Sequence, residues 1–178
     1  TITFENTLSA SVTVDLQGGA ADSITLANSG NFVTLTGAET ITGGTGSDIL
    51  TLENTAFAMS VNLGNGADTV ISGSLGDTLS GSTTADSATD IFKYTAIGQS
   101  EVGDIDIITN FEDGFDLIDL TALDIGGPGF AFLGDQTNAF SGGSDNTEAR
   151  FNDTNSRLEI DVDGDGTHDM EIEMTGIV

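Results

Sequence analysis

Five acids stand at the same place in a nine-residue unit of this chain: Asp22, Glu39, Asp48, Asp68 and Asp77. The fullest copy is GGTGSDILT, residues 43–51. TLTGAETIT (34–42) lies nine residues before it, and LGNGADTVI (63–71) and SGSLGDTLS (72–80) follow, with QGGAADSIT (17–25) upstream. Carboxylates that recur at a fixed period and are brought into register about 5 Å apart, the spacing of neighbouring strands, repel one another. A hard divalent cation between them reverses the sign. Asp side chains with turn carbonyls supply the six to eight oxygens that Ca²⁺ takes, in a flexible geometry that suits Mg²⁺ poorly. Gly43, Thr45, Asp48, Gly64, Gly66, Asp68 and Asp77 are the candidate ligands in the regular units.

The element that must position these acids is legible in the same unit. Its glycine half permits positive φ and a tight turn. Its second half is too short for a helix and long enough for a short strand. The residue two after the acid is Ile24, Ile41, Leu50, Val70 or Leu79, apolar in all five units. Two units then make one coil of 18 residues, and coils stack as a parallel solenoid. This predicts that Asp48 stacks on Asp68 along one edge, with Asp77 on the other. The next unit is interrupted. Either Asp86 keeps the strict period, or a four-residue insertion moves the acid to Asp90. Asp90 is preferred, because ATDIFKY then opens a strand with Phe92 inward. Residues 52–60 lack the motif.

Composition supports a cation-loaded fold. The 178 residues carry 29 acids against three basic residues, a formal net charge of −26. Twenty of the acids are Asp, the acid of turns and compact oxygen sites rather than of helices. Such a charge opposes compaction unless it is neutralised. It also argues against binding nucleic acid phosphates or anionic membrane surfaces. There is no Cys, hence no disulfide framework, and no apolar run long enough to span a membrane.

The GGxGxDxUx nonapeptide resembles the repeat of the repeats-in-toxin (RTX) family of calcium-binding β-roll proteins. DIITNFEDGFDLIDL (106–120) resembles the stretch that follows the β-roll in serralysin-type proteases and other type I-secreted proteins. Asn110 and Leu117 depart from that pattern. Asp106 and Asp116 are candidate ligands there, and Asp104 and Asp113 are weaker ones. In RLEIDVDGDGTHDMEIEM (157–174), two alternating apolar runs flank an acidic loop, which reads as a hairpin. Asp161, Asp163, Asp165 and Asp169 fall at positions 1, 3, 5 and 9 of an EF-hand-like spacing, with Gly166 at position 6. Position 12 is Ile172, and the flanks are strands, so this is no EF-hand. It resembles the DxDGDGxxDF hairpin near the C-terminus of serralysin-like domains. Repulsion among four acids in nine residues favours a metal role for the loop.

Catalytic chemistry finds no support. The one histidine, His168, cannot build the HExxHxxGxxH zinc site that a protease of the resembling family needs. No GxSxG elbow is present, and GNGAD (64–68) has no Lys to make a phosphate loop. Phe111, Phe115, Phe130, Phe132, Phe140 and Phe151 read as core of the C-terminal half.

The expectation is an all-β chain: a parallel calcium-binding β-roll over 1–94, then a β-rich C-terminal cap over 95–178 containing the acidic-loop hairpin. The resemblance implies a non-enzymatic, secreted or cell-surface protein that binds several Ca²⁺ ions. It implies export by a type I secretion apparatus in an extended state, with folding on Ca²⁺ outside. The leading role is structural, in a surface layer or biofilm matrix, with self-association. A folding and secretion module of a hydrolase or epimerase, and a calcium-dependent adhesin domain, are the alternatives. The close at MTGIV lacks the short acidic-apolar tail that the resemblance leads one to expect, which points to a truncated end.

Overall fold

Sixteen short strands form in the computed structural model, which describes all residues except 18, 20, 54, 55, 124–128, 143–145 and 178. The first ten are β1 (Ile2–Thr3), β2 (Val12–Asp15), β3 (Ser23–Thr25), β4 (Phe32–Thr36), β5 (Thr40–Thr42), β6 (Ile49–Leu52), β7 (Ser60–Asn62), β8 (Thr69–Ile71), β9 (Thr78–Ser80) and β10 (Ile91–Lys93). The rest are β11 (Asp106–Thr109), β12 (Leu117–Asp119), β13 (Ala131–Asp135), β14 (Glu148–Asn152), β15 (Arg157–Asp161) and β16 (Met170–Thr175). Two single 3₁₀ turns, Ile97–Gln99 and Thr121–Leu123, are the only helical elements among the described residues.

Alternate strands go to alternate sheets. One sheet runs β12-β10-β8-β6-β4-β2, and the other runs β1-β3-β5-β7-β9-β11 before continuing into β16-β15-β14-β13. Pairing within the coils is parallel throughout. The chain is therefore a parallel β-solenoid of about seven turns. The inward residues of the strands, one or two in each coil strand, make the core. Ile24, Ile41, Val61, Leu79 and Ile108 stack in one sheet. Val33, Leu50, Val70 and Phe92 stack in the other, and all nine are at most 2% exposed. Burying one such side chain contributes about 1.5–3 kcal/mol, and a three-residue strand offers little else to hold it. Register is fixed for the same reason, because a slip of one residue would turn the whole row outward.

Glycine lets the coils approach. A Cβ on Gly43 would lie 1.7 Å from the Leu63 carbonyl oxygen of the next coil. Gly64, at φ +102°, would place its Cβ 2.1 Å from the Gly44 carbonyl oxygen. No side chain fits between backbones stacked this closely.

Parallel pairing of the coils extends to β12, whose Ile118 pairs with Phe92. Beyond it β16, β15 and β14 form an antiparallel meander whose first member pairs with β11. The acidic loop lies between β15 and β16. The phenylalanines of this half divide. Phe140 is buried, and Phe111 and Phe151 are half-buried. Phe115, Phe130 and Phe132 are 40–62% exposed, contrary to the core reading. β13 is the last strand of its sheet among the described residues, and Phe132 on it is the most exposed of these side chains.

Candidate metal centres

Each coil passes its acid to the coil before it. The Oδ1 of Asp48 accepts the backbone N–H of Asn31 at 2.7 Å, and the Oδ1 of Asp68 accepts that of Asp48 at 2.7 Å. Asp90 accepts from Asp68 at 2.9 Å, and Asp116 from Asp90 at 3.0 Å. All four acids are buried. The structure puts Asp90 in this ladder and Asp86 beside it. Asp86 accepts from Gly66 N–H at 3.0 Å through Oδ2.

The opposite edge repeats the device with less regularity. Glu39 accepts from Asp22 at 2.5 Å, Asp77 from Met59 at 2.7 Å, and Asp106 from Asp77 at 2.7 Å. Asp106 accepts three hydrogen bonds. Its Oδ2 also accepts Ser72 Oγ–H at 2.6 Å and the Tyr94 hydroxyl at 2.9 Å, all in full burial.

These hydrogen bonds do not balance the charge. The Oδ2 of Asp68 is buried with no hydrogen-bond donor. Burial, with the neighbouring acids adding to it, pushes Asp68 and Asp90 up to about 7. Burial does the same to Asp106 and raises Asp116. No protein cation offsets this. Lys93 pairs with Asp119 at 2.5 Å, Arg150 with Glu159 at 2.7 Å, and Arg157 with Glu171 at 2.6 Å. Lys93 holds Asp119 down to about 2.

Uncommitted oxygens accompany the uncommitted charge. Between the two glycine loops, Gly46 N–H donates to the Asn65 carbonyl and Asn65 N–H donates to the Gly44 carbonyl. Among the described residues no donor reaches the carbonyls of Gly43, Thr45, Gly64 or Gly66. The orphaned buried oxygen of Asp68 and the unbonded loop carbonyls are hard oxygen donors of the kind Ca²⁺ takes, while among the described residues only acids of the hairpin loop bring three carboxylates together.

The hairpin loop is a second acidic group. Asp161, Asp163 and Asp169 each bring a carboxylate oxygen within 4.8 Å of the others. Asp161 is fully buried at the end of β15 and accepts the N–H groups of Gly164 and Gly166, both at 2.8 Å. Burial raises its pKa, and Asp169 and Asp163 add to the effect. The Oδ2 of Asp169 accepts Val162 N–H at 2.8 Å. Asp165 stands apart from the three, accepting Thr167 N–H at 2.7 Å. His168 lies 3.0 Å from Glu171 on the neighbouring strand.

Two participants escaped the sequence reading. Asn31 heads the first ladder with a neutral side chain whose Nδ2 donates to Asp48 Oδ1 at 2.8 Å. Glu112 brackets the wide loop, accepting Asp86 N–H at 2.7 Å and Ser87 N–H at 3.0 Å. A signal for Glu112 was present. It precedes Asp116 by four residues, as Asp86 precedes Asp90.

Stacked glycine loops and inter-coil carboxylates on a parallel solenoid define a β-roll of the RTX type. The family model for the serralysin C-terminal part of the M10 peptidases matches residues 7–178, and the chain belongs to that family. In serralysin-type proteases this domain is the non-catalytic C-terminal part, and the family is one of secreted proteins. Curated proteins offer no match to the chain. Among the described residues no helix is long and apolar enough to cross a membrane.

Proposed function

We propose that this chain is a calcium-driven folding module that leaves the cell extended, through a type I secretion apparatus, and folds outside. The observation that carries the reading is Asp68, an acid buried in a stack of acids with one oxygen unpartnered. Without a cation the stack repels and favours the open chain. Extracellular Ca²⁺, at about the millimolar level, matches sites with Kd of about 10⁻⁴–10⁻³ M. The proposed ligands are the carboxylates of Asp48, Asp68, Asp77, Asp90, Asp106 and Asp116 with the carbonyls of Gly43, Thr45, Gly64 and Gly66. Asp161, Asp163 and Asp169 serve the hairpin loop. In this reading residues 1–94 are the calcium-dependent roll, and 95–178 close its end.

The proposed use is structural, as a component of a surface layer or matrix built from self-associating copies. The exposed Phe115, Phe130 and Phe132 support that use. The family match favours a second reading, a folding and secretion module attached to a secreted hydrolase. Circular dichroism of chelated protein tests the common core. Adding Ca²⁺ should give a gain of β-structure that equimolar Mg²⁺ does not give, and no gain would end the proposal. Sedimentation of the calcium-loaded chain then separates the two uses, since a structural component forms ordered multimers and a solitary module stays monomeric.

A further inference from the structure

The segment between β10 and β11 connects two acidic sites that the sequence keeps far apart. Ser100 is fully buried, and its hydroxyl makes two bonds at once. It donates to the Glu171 carbonyl at 2.5 Å and accepts the Asp106 N–H at 2.8 Å. The Ser100 carbonyl accepts Glu171 N–H at 3.1 Å, and Val102 N–H donates to the Asp169 carbonyl at 3.2 Å. On one side, then, this segment grips the residues that begin β16, including Asp169 of the hairpin cluster. On the other side it grips Asp106, whose carboxylate holds the N–H of Asp77 on the roll edge.

We infer that residues Gln99–Asp106 act as a clasp that couples cation binding at the hairpin loop to cation binding at the roll edge around Asp77. The inference rests on the reading of both sites as calcium sites. The hairpin acids repel while the loop is empty of charge compensation, and Asp169 is then poorly held. Occupation fixes Asp169, and its carbonyl fixes Val102. The two-bond Ser100 hydroxyl then transmits that order to Asp106 and so to Asp77. A site that is already ordered costs less to fill, and the coupling is reciprocal. The direct β11–β16 pairing also joins the two regions, so the clasp is the share of coupling that Ser100 carries.

The chain holds its own reporter. Tyr94 is the only tyrosine, there is no tryptophan, and its hydroxyl donates to Asp106. Calcium titrations of the chelated chain, followed by Tyr94 fluorescence, would compare the wild type, Asp163→Asn, Ser100→Ala and the double variant. Asp163 is exposed, so its substitution spares the packing. Asp163→Asn should raise the Ca²⁺ midpoint about fivefold or more, and in the Ser100→Ala background the same change should shift it by less than about twofold. Equal shifts in both backgrounds, or no shift in either, overturn the clasp. A wild type whose fluorescence and heat of mixing ignore Ca²⁺ overturns the calcium reading instead. Should Ser100→Ala fail to fold, amide exchange at fixed Ca²⁺ decides between wild type and Asp163→Asn. Faster exchange at Val102, Asp106 and Asp77 together supports the clasp, and faster exchange at Val102 alone refutes it.

Discussion

Asp68 holds Asp48 with one oxygen and nothing with the other. Its Oδ1 takes the Asp48 N–H at 2.7 Å, while its Oδ2 is buried without a donor. Asp68→Asn keeps an acceptor for Asp48 and removes the uncompensated charge. The Ca²⁺ midpoint for folding should rise about tenfold, equivalent to about 1.4 kcal/mol. Paired calcium titrations of wild type and variant, followed by circular dichroism, check this, and an unchanged midpoint would show that the second oxygen does not take the cation.

Buried carboxylates at about 7 set an unusual pH dependence. Asp68, Asp90 and Asp106 are raised from an ordinary 3.8 chiefly by burial. A folded-state pKa above the unfolded one means that the folded state holds protons the unfolded state releases. That stability is fully present below about pH 4 and is lost as pH rises through about 7. In chelator the chain should therefore show more β-structure at pH 5 than at pH 7.5. With Ca²⁺ the order should reverse, because cation and proton compete for the same oxygens. Circular dichroism at the two pH values, with and without Ca²⁺, gives the four numbers needed.

Close stacking at glycine is a separate, charge-independent requirement. Gly64→Ala forces a Cβ to 2.1 Å from the Gly44 carbonyl oxygen at a φ of +102°. It should cost more than about 2 kcal/mol in urea melts at saturating Ca²⁺. Gly98→Ala is the control, since a Cβ there meets nothing within 4 Å. It should change stability by less than about 0.5 kcal/mol.

Phe132 is 62% exposed on the last strand of its sheet. Phe132→Ser should leave the urea midpoint within about 0.5 kcal/mol of wild type. If this face joins copies of the chain, the variant should elute later in size-exclusion chromatography with Ca²⁺. A large loss of stability would return Phe132 to the core.

The roll was legible because three signals coincide at each unit: a glycine turn, an acid, and an apolar residue two places on. Ile24, Ile41, Leu50, Val70 and Leu79 are all buried where that spacing puts them. The misread phenylalanines show the limit. Residue type says that Phe prefers burial, and only the fold sets Phe132 on a sheet's last strand with its ring exposed. The Ser100–Asp106–Tyr94 connection was invisible for a different reason. Its other partners, Ser72, Asp77 and Glu171, come from a second loop and a distant strand, and no period or motif brings them together. Asn31 escaped because the first rung of the ladder carries an amide where the repeat prescribes an acid.

The rungs of the first ladder lie one strand apart in space but 17, 20, 22 and 26 residues apart in sequence. The growth is absorbed mainly in the edge loops, while the inward residues keep their pairing. Each rung needs only an acceptor at the start of the next strand, whatever the chain does on its way there. Lengthening a loop costs little, about 0.6 kcal/mol per doubling. The architecture therefore tolerates uneven coils and admits insertions at its edges. It can also be lengthened or shortened by whole coils without redesigning the neighbours.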